Sequence, residues 1–200
     1  MGLVTVGVGA MDSPRYAPAG LLIAHRGMRV MLDGGPGAEP SGRLDAWLLT
    51  DERAELAGRI RALAHARGLT CRVGAFRARE LWIQPHPVVH TSHPTYGYEI
   101  RTAGRKVVWA PEFWEFPSWA RDADLMFADA AGWRRPIRFA GGVGGHLDVL
   151  HVAAAARRLG VRRLVFAHIG RPTIRALDRG ERPPFGEVAR DGQVFRLTAR

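Results

Sequence analysis

The chain has 200 residues, 46% of them hydrophobic, enough to bury one substantial core, and the length favours a single domain over residues 1–200. A single cysteine, Cys71, excludes an internal disulfide framework, and no apolar run is long enough to span a bilayer, so no membrane partner and a cytoplasmic location are expected. A formal net charge of +10 and a pI of about 11.2 suit a polyanionic partner, either nucleic acid or a phosphate-containing small molecule. Every basic residue except Lys106 is arginine, a bias that a GC-rich genome also produces.

In chain order, Val4 to Gly9 reads as a short strand running into a glycine turn. Gly20 to Ala24 and Met28 to Leu32 then form a hairpin around His25-Arg26-Gly27. Ala46 to Thr50 is a short buried strand, and Glu52 to Ala66 has helical periodicity through Leu56, Ile60 and Leu63. Strands follow at Leu81 to Ile83, Pro87 to His90, Tyr96 to Arg101 and Lys106 to Ala110, with Ala103-Gly104 turning between the last two. Ser118 to Arg121 is one helical turn, and Leu125 to Ala128 a buried strand. Asp148 caps a helix that Gly160 stops, and Arg163 to Ala167 is a strand that delivers His168 to its end. Asp191-Gly192 signals a hairpin between Gly186 to Ala189 and Gln193 to Leu197. Strands with helices between them and late in the chain indicate an α/β protein.

Chemistry concentrates after the strand ending in Leu49-Thr50, in Asp51-Glu52-Arg53-Ala54-Glu55-Leu56, and at the isolated histidines His90, His146 and His168. Cys71 reads as a small buried hydrophobe in or beside a strand. His86, His93 and His151 read as loop or helix-surface histidines. Trp109, Phe113, Trp114, Phe116, Trp119 and Trp133 form an aromatic-rich segment that can stack a planar substrate, or pack a core or a lid. Gly141-Gly142-Val143-Gly144-Gly145 either brings backbone amides up to an anion or serves as a permissive turn. Arg134, Arg135, Arg138, Arg171 and Arg175 either bind phosphate or solubilise a surface.

These fragments, in this order, resemble the metallo-β-lactamase superfamily, in particular its RNase Z and cyclic-phosphodiesterase branch. The resemblance rests on Val6-Gly7-Val8-Gly9-Ala10, on Leu32-Asp33-Gly34-Gly35-Pro36-Gly37 and on His90 followed by Tyr96-Gly97-Tyr98-Glu99-Ile100. It continues through Val107 to Glu112, Leu125 to Ala131, Gly145-His146 and Gly160 to His168. It implies a four-layer αββα sandwich. It also implies that the family's His-x-His-x-Asp-His metal motif is rewritten here as Asp51-x-Arg53-x-Glu55-Leu56.

By the same resemblance, one metal site would use the positions of Asp51, Arg53 and His90, and the other those of Glu55, Leu56 and His168, with Glu112 at the bridging aspartate's place. Arginine cannot ligate and leucine has no donor atom, so conventional dinuclear zinc is not expected. Two arrangements remain: a single oxygen-preferring divalent ion on Asp51, Glu55, His90, Glu112 and His168, or an ion pair of Arg53 with Glu55 or Glu112. The cofactor expectation is therefore none or one divalent metal. Asp129 and His146 match a proton-donating carboxylate–histidine pair, although His146 also reads as a cap for the following helix.

The resulting expectation is a divergent hydrolase of a phosphodiester or other ester. His146 is its acid/base, Asp129 the orienter and Arg53 an electrostatic anchor, with Trp109, Trp114 and Arg171 on the substrate. The alternative is a non-catalytic protein that uses the former active-site cleft for an anionic ligand, nucleic acid or a protein partner. Homodimerisation is a further expectation, drawn from the family.

Overall fold

The computed structural model describes residues 1–102 and 104–198; Ala103 of the expected turn lies outside them. The first sheet opens with β1 (Gly2–Gly7), β2 (Gly20–His25), β3 (Met28–Asp33) and β4 (Ala46–Leu48), then β5 (Cys71–Arg72) after helix α1 (Ala57–His65). The second collects β6 (Phe76–Ala78), β7 (Leu81–Val88), β8 (Thr95–Thr102), β9 (Arg105–Ala110) and β10 (Leu125–Ala130). A ribbon of β11 (Ile137–Arg138) and β12 (Gly145–His146) and helix α2 (Val149–Arg158) precede β13 (Leu164–Ile169), which continues the second sheet. Helix α3 (Arg171–Asp178), β14 (Glu187–Val188) and β15 (Gln193–Arg196) complete the chain's elements. The strand orders are β15-β1-β2-β3-β4-β5 and β14-β13-β10-β9-β8-β7-β6.

Side-chain alternation explains the layers. In β2 and β3, Leu21, Ile23, Val30 and Leu32 enter the core shared with Ile83, Tyr98, Ile100 and Val107 of the second sheet. Leu22 and Met31, pointing the other way, join Trp47 and the α1 residues Ala57, Ile60 and Ala64. Helix α2 touches β10 and β13 on the outer side of the second sheet. Strands covered on both faces are buried throughout, as β10 and β13 are. The expected αββα sandwich is thus the observed fold. Among the described residues no helix is long and apolar enough to cross a membrane.

Several expectations are corrected. The two short strands expected around residues 81–90 are one strand, β7, running through Pro85 and Pro87. These prolines lie two apart, so their missing N–H groups face the same edge; β6 pairs only with Leu81 to Ile83, leaving that edge open beside both. Helix α1 starts at Ala57 rather than Glu52 because the Asp51 carboxylate accepts the Arg53 backbone N–H at 2.7 Å, diverting the chain into turns. Asp191-Gly192 does not close a hairpin: β14 pairs with β13 and β15 with β1, so the turn crosses between sheets. Helix α3 and the short strands β6, β11 and β12 were not expected from the sequence. Asp148 caps α2 as expected, accepting from Leu150 N and His151 N.

The end of β3 couples the two sheets. Asp33 has φ 51° and is half-buried; its Oδ1 accepts Thr50 N at 2.7 Å and Thr50 Oγ1 at 3.0 Å, and its Oδ2 accepts Trp109 Nε1 at 2.7 Å. Burial pushes the Asp33 carboxyl up to about 6 in spite of those three donors. The fully buried Trp109 is therefore a core residue that clamps sheet to sheet, which corrects its expected place on the substrate. Trp109→Phe leaves Asp33 Oδ2 without its donor and loses indole packing, and should lower the free energy of unfolding by about 2 kcal/mol or more. Urea denaturation reads this; an unchanged midpoint would contradict the clamp.

Candidate active site

A cleft of about 360 Å³ opens at the strand ends where the two sheets meet. Backbone geometry aims the groups lining it. In the β10–β13 pairing Asp129 faces Ala167 while Ala130 faces Ile169, so His168 is the extra, bulged residue, with φ 54°. A bulge of this kind turns a side chain off the regular alternation, here into the cleft. His146 arrives on β12, pressed close by glycine: a Cβ at Gly145 would collide with the Ile137 carbonyl, and one at Gly144 with the His90 carbonyl. Both glycines also have positive φ, 144° and 148°. Gly145 N donates to His90 O at 2.8 Å, so the glycine run is the close-packed turn that fixes His90 beside His146.

Asp129 is fully buried. Its Oδ2 accepts His146 Nδ1 at 2.8 Å and Phe113 N at 3.2 Å, and its Oδ1 accepts Ala131 N at 2.9 Å. Burial opposes its charge, but His146 and His168 hold the carboxyl below its ordinary value. With Nδ1 of His146 engaged, Nε2 is the nitrogen left for the cleft. The His146 ring stacks on His168 at 5.2 Å and meets His90 edge-on at 4.8 Å.

Glu112, half-buried, lies between two imidazoles: Oε1 is 3.1 Å from His168 Nε2 and Oε2 is 3.3 Å from His90 Nε2. The contacts differ in kind. Burial opposes a charge on His168, but Glu112 and then Asp129 outweigh it and raise the imidazole to about 10, so Glu112–His168 is an ion pair. Glu112 is held well below the usual carboxylate range in return, its burial outweighed by His168. Burial lowers His90 instead; it stays neutral, and among the described residues neither ring nitrogen makes a hydrogen bond.

The motif residues separate. Asp51, buried after β4, turns both oxygens to His93 Nε2, at 2.8 and 3.0 Å. Arg53 and Glu55 are exposed, line the cleft and, among the described residues, form no ion pair with each other or with Glu112. The expected Arg53 pairing with Glu55 or Glu112 is therefore corrected. Leu56 packs beside Gly35. Trp114 lies beneath the Arg138 guanidinium at 4.7 Å and Arg171 is exposed on the first turn of α3; neither lines the cleft. His146 lies in β12 and does not cap α2. Cys71, pushed by burial up to about 12, remains a protonated thiol.

The residue that sequence reasoning missed is His93, which reads there as a surface histidine in Thr91-Ser92-His93-Pro94-Thr95. The available signal was indirect: a carboxylate buried just after a strand, at Asp51, needs a donor from elsewhere in the chain.

These donors do not fit the family's two-metal arrangement. Among the described residues one trio of ligand atoms converges within 4.8 Å, on Asp129, His146 and His168, and its carboxylate already holds two backbone amides and the His146 ring. The five-residue set Asp51, Glu55, His90, Glu112 and His168 is not among the converging ligand groups of the described residues; Asp51 is turned to His93 and Glu55 is exposed at the cleft. That corrects the single-ion arrangement as well.

Residues 20–169 match the family described as the beta-lactamase superfamily domain, and the chain belongs to that family. Solved structures share the fold across nearly full lengths. The metallo-beta-lactamase fold protein YhfI from Bacillus subtilis is 14% identical with a TM-score of 0.74, covering 98% of this chain and 99% of its own. A diphosphatase of the PhnP family is 18% identical with a TM-score of 0.69, over 100% and 99%. The short form of human tRNase Z is 15% identical with a TM-score of 0.67, over 99% and 100%. No curated protein matches the chain in sequence.

The Glu112–His168 pair has a pH signature. His168 keeps its proton to about pH 10 when folded but only to 6.5 when unfolded, so its contribution to stability is complete below pH 6.5 and is lost as pH rises towards 10. Between pH 6.5 and 9.0, below the ordinary range of the Cys71 thiol, the unfolding free energy should fall by up to about 1.4 kcal/mol per pH unit. His168→Gln should flatten that slope in urea titrations. A flat wild-type profile would contradict the ion pair.

Proposed function

We propose that the chain is a hydrolase of a phosphodiester or another ester whose proton chemistry is carried by its own side chains. The observation supporting this most directly is the 2.8 Å contact of His146 Nδ1 with a fully buried Asp129 at the edge of a cleft. A carboxylate on Nδ1 fixes the ring and its tautomer, so Nε2 presents a proton, or a lone pair, at one defined place. His146 then delivers a proton to the leaving oxygen as the ester bond breaks. Arg53, exposed in the cleft and without a carboxylate partner among the described residues, attracts the substrate's anionic oxygens as a planar donor fork. The His168–Glu112 pair holds fixed charges against the floor of the cleft, where they need no reorganisation during reaction. The PhnP-family and tRNase Z names among the fold's neighbours favour phosphate-containing substrates as the first to try.

A binding protein without turnover is the second reading, favoured by Arg53 and Leu56 standing where the family resemblance implies metal ligands. His146→Asn separates the two, because the asparagine amide can still donate to Asp129 from near the position of Nδ1. In a hydrolase this change should lower kcat on a phosphodiester or a carboxylic ester with an unactivated alkoxide leaving group by about 10²- to 10⁴-fold, with the unfolding midpoint nearly unchanged. Wild-type protein that turns over neither ester would overturn the hydrolase reading.

A further inference from the structure

We infer that the Asp51–His93 pair is a second acid–base dyad of the same cleft, in which His93 is the general base that activates water while His146 protonates the leaving group. The inference rests on the hydrolase reading. Its starting point is an asymmetry in how Asp51 is satisfied. Arg53 is two residues away and offers the fork that best matches a carboxylate. A purely structural neutralisation of the buried Asp51 would use it. Instead Asp51 takes only the Arg53 backbone N–H, at 2.7 Å, and both its oxygens face His93 Nε2. The guanidinium is left in the cleft without a partner among the described residues.

The loop carrying His93 is built to hold it there. Thr91 Oγ1 donates to His93 O at 3.0 Å, receives His93 N at 3.3 Å and contacts Thr95 Oγ1 at 3.0 Å. Tyr96 N donates to Thr50 O at 2.9 Å, which ties the start of β8 to the residue before Asp51. With Nε2 on Asp51, Nδ1 of His93 is the nitrogen left over, and the two imidazoles, His93 and His146, line one cleft. His93 is the more open ring, its side chain 20% exposed against 12% for His146, so solvent water reaches it more readily.

The step balances without another reactant. As the water oxygen bonds to phosphorus or to the ester carbon, His93 Nδ1 takes one of its protons. The bond to the leaving oxygen breaks with its electron pair, and that oxygen takes the proton from His146 Nε2. His93 ends protonated and His146 deprotonated, and exchange with solvent restores both.

Two phosphodiesters, one with a p-nitrophenolate leaving group and one with an unactivated alkoxide, separate the roles. His93→Ala should lower kcat about a hundredfold or more on both, and added imidazole should restore much of the loss. His146→Asn should be far more damaging on the alkoxide ester, whose leaving oxygen needs the proton. Asp51→Asn, which still accepts from Nε2, is the milder variant should His93→Ala not fold; it should lower kcat on both diesters with KM little changed. Wild-type activity that His146→Asn destroys but His93→Ala leaves intact, or that imidazole does not restore, overturns the second dyad and leaves the hydrolase reading standing. Absence of wild-type turnover on every ester overturns both.

Discussion

The arrangement of the cleft hangs on one buried anion, Asp129. Its oxygens hold Phe113 N beyond β9, Ala131 N beyond β10 and the His146 ring on β12, and His168 of β13 sits 3.6 Å away. A carboxylate removed from water is tolerable only when its lone pairs are filled and a cation is near. Meeting that demand draws four separate segments to one point at the rim of the second sheet. The orientation of the His146 ring is thereby coupled to the fold, since the ring cannot swing away without leaving the buried carboxylate short of a donor. Asp33 plays the matching part on the first sheet, reaching across to Trp109.

Charge in the cleft follows from the same economy of burial. His168 is cationic because Glu112 and Asp129 surround it, whereas burial keeps His90 neutral, its two nitrogens without a hydrogen bond among the described residues. Arg53 adds a permanent cation at the mouth. The cleft therefore sets two cations, Arg53 and His168, among the carboxylates of Asp33, Asp51, Glu55 and Glu112, with imidazoles oriented by carboxylates, the arrangement on which the proposed proton chemistry draws.

Much of the fold was legible because the central strands of both sheets are covered on both faces. Apolar runs such as Leu21-Leu22-Ile23 and Leu125-Met126-Phe127 announce buried strands, and Asp148 with Gly160 brackets a helix. What escaped has physical reasons. The prolines of β7 read as breaks because a linear pattern does not say which edge is open. The Asp191-Gly192 turn looks like a hairpin because local chemistry does not record that its flanking strands enter different sheets. Asp129 and His146 were legible as a pair through the family resemblance, which places a carboxylate and a histidine at those two strand ends. His93 was not, because its partner Asp51 is 42 residues away in sequence, and Trp109 read as a binding residue only because burial cannot be seen in a single aromatic letter.

The claim on which this account turns is that a family site usually read in terms of metals is organised here by hydrogen-bonded carboxylate–imidazole pairs. Elemental mass spectrometry of protein purified without chelator or added metal tests it most directly. Less than about a tenth of an equivalent of any transition metal per chain is expected, unchanged after dialysis against zinc and manganese. One or two tightly held equivalents, lost on substituting Glu112 or His168, would contradict it.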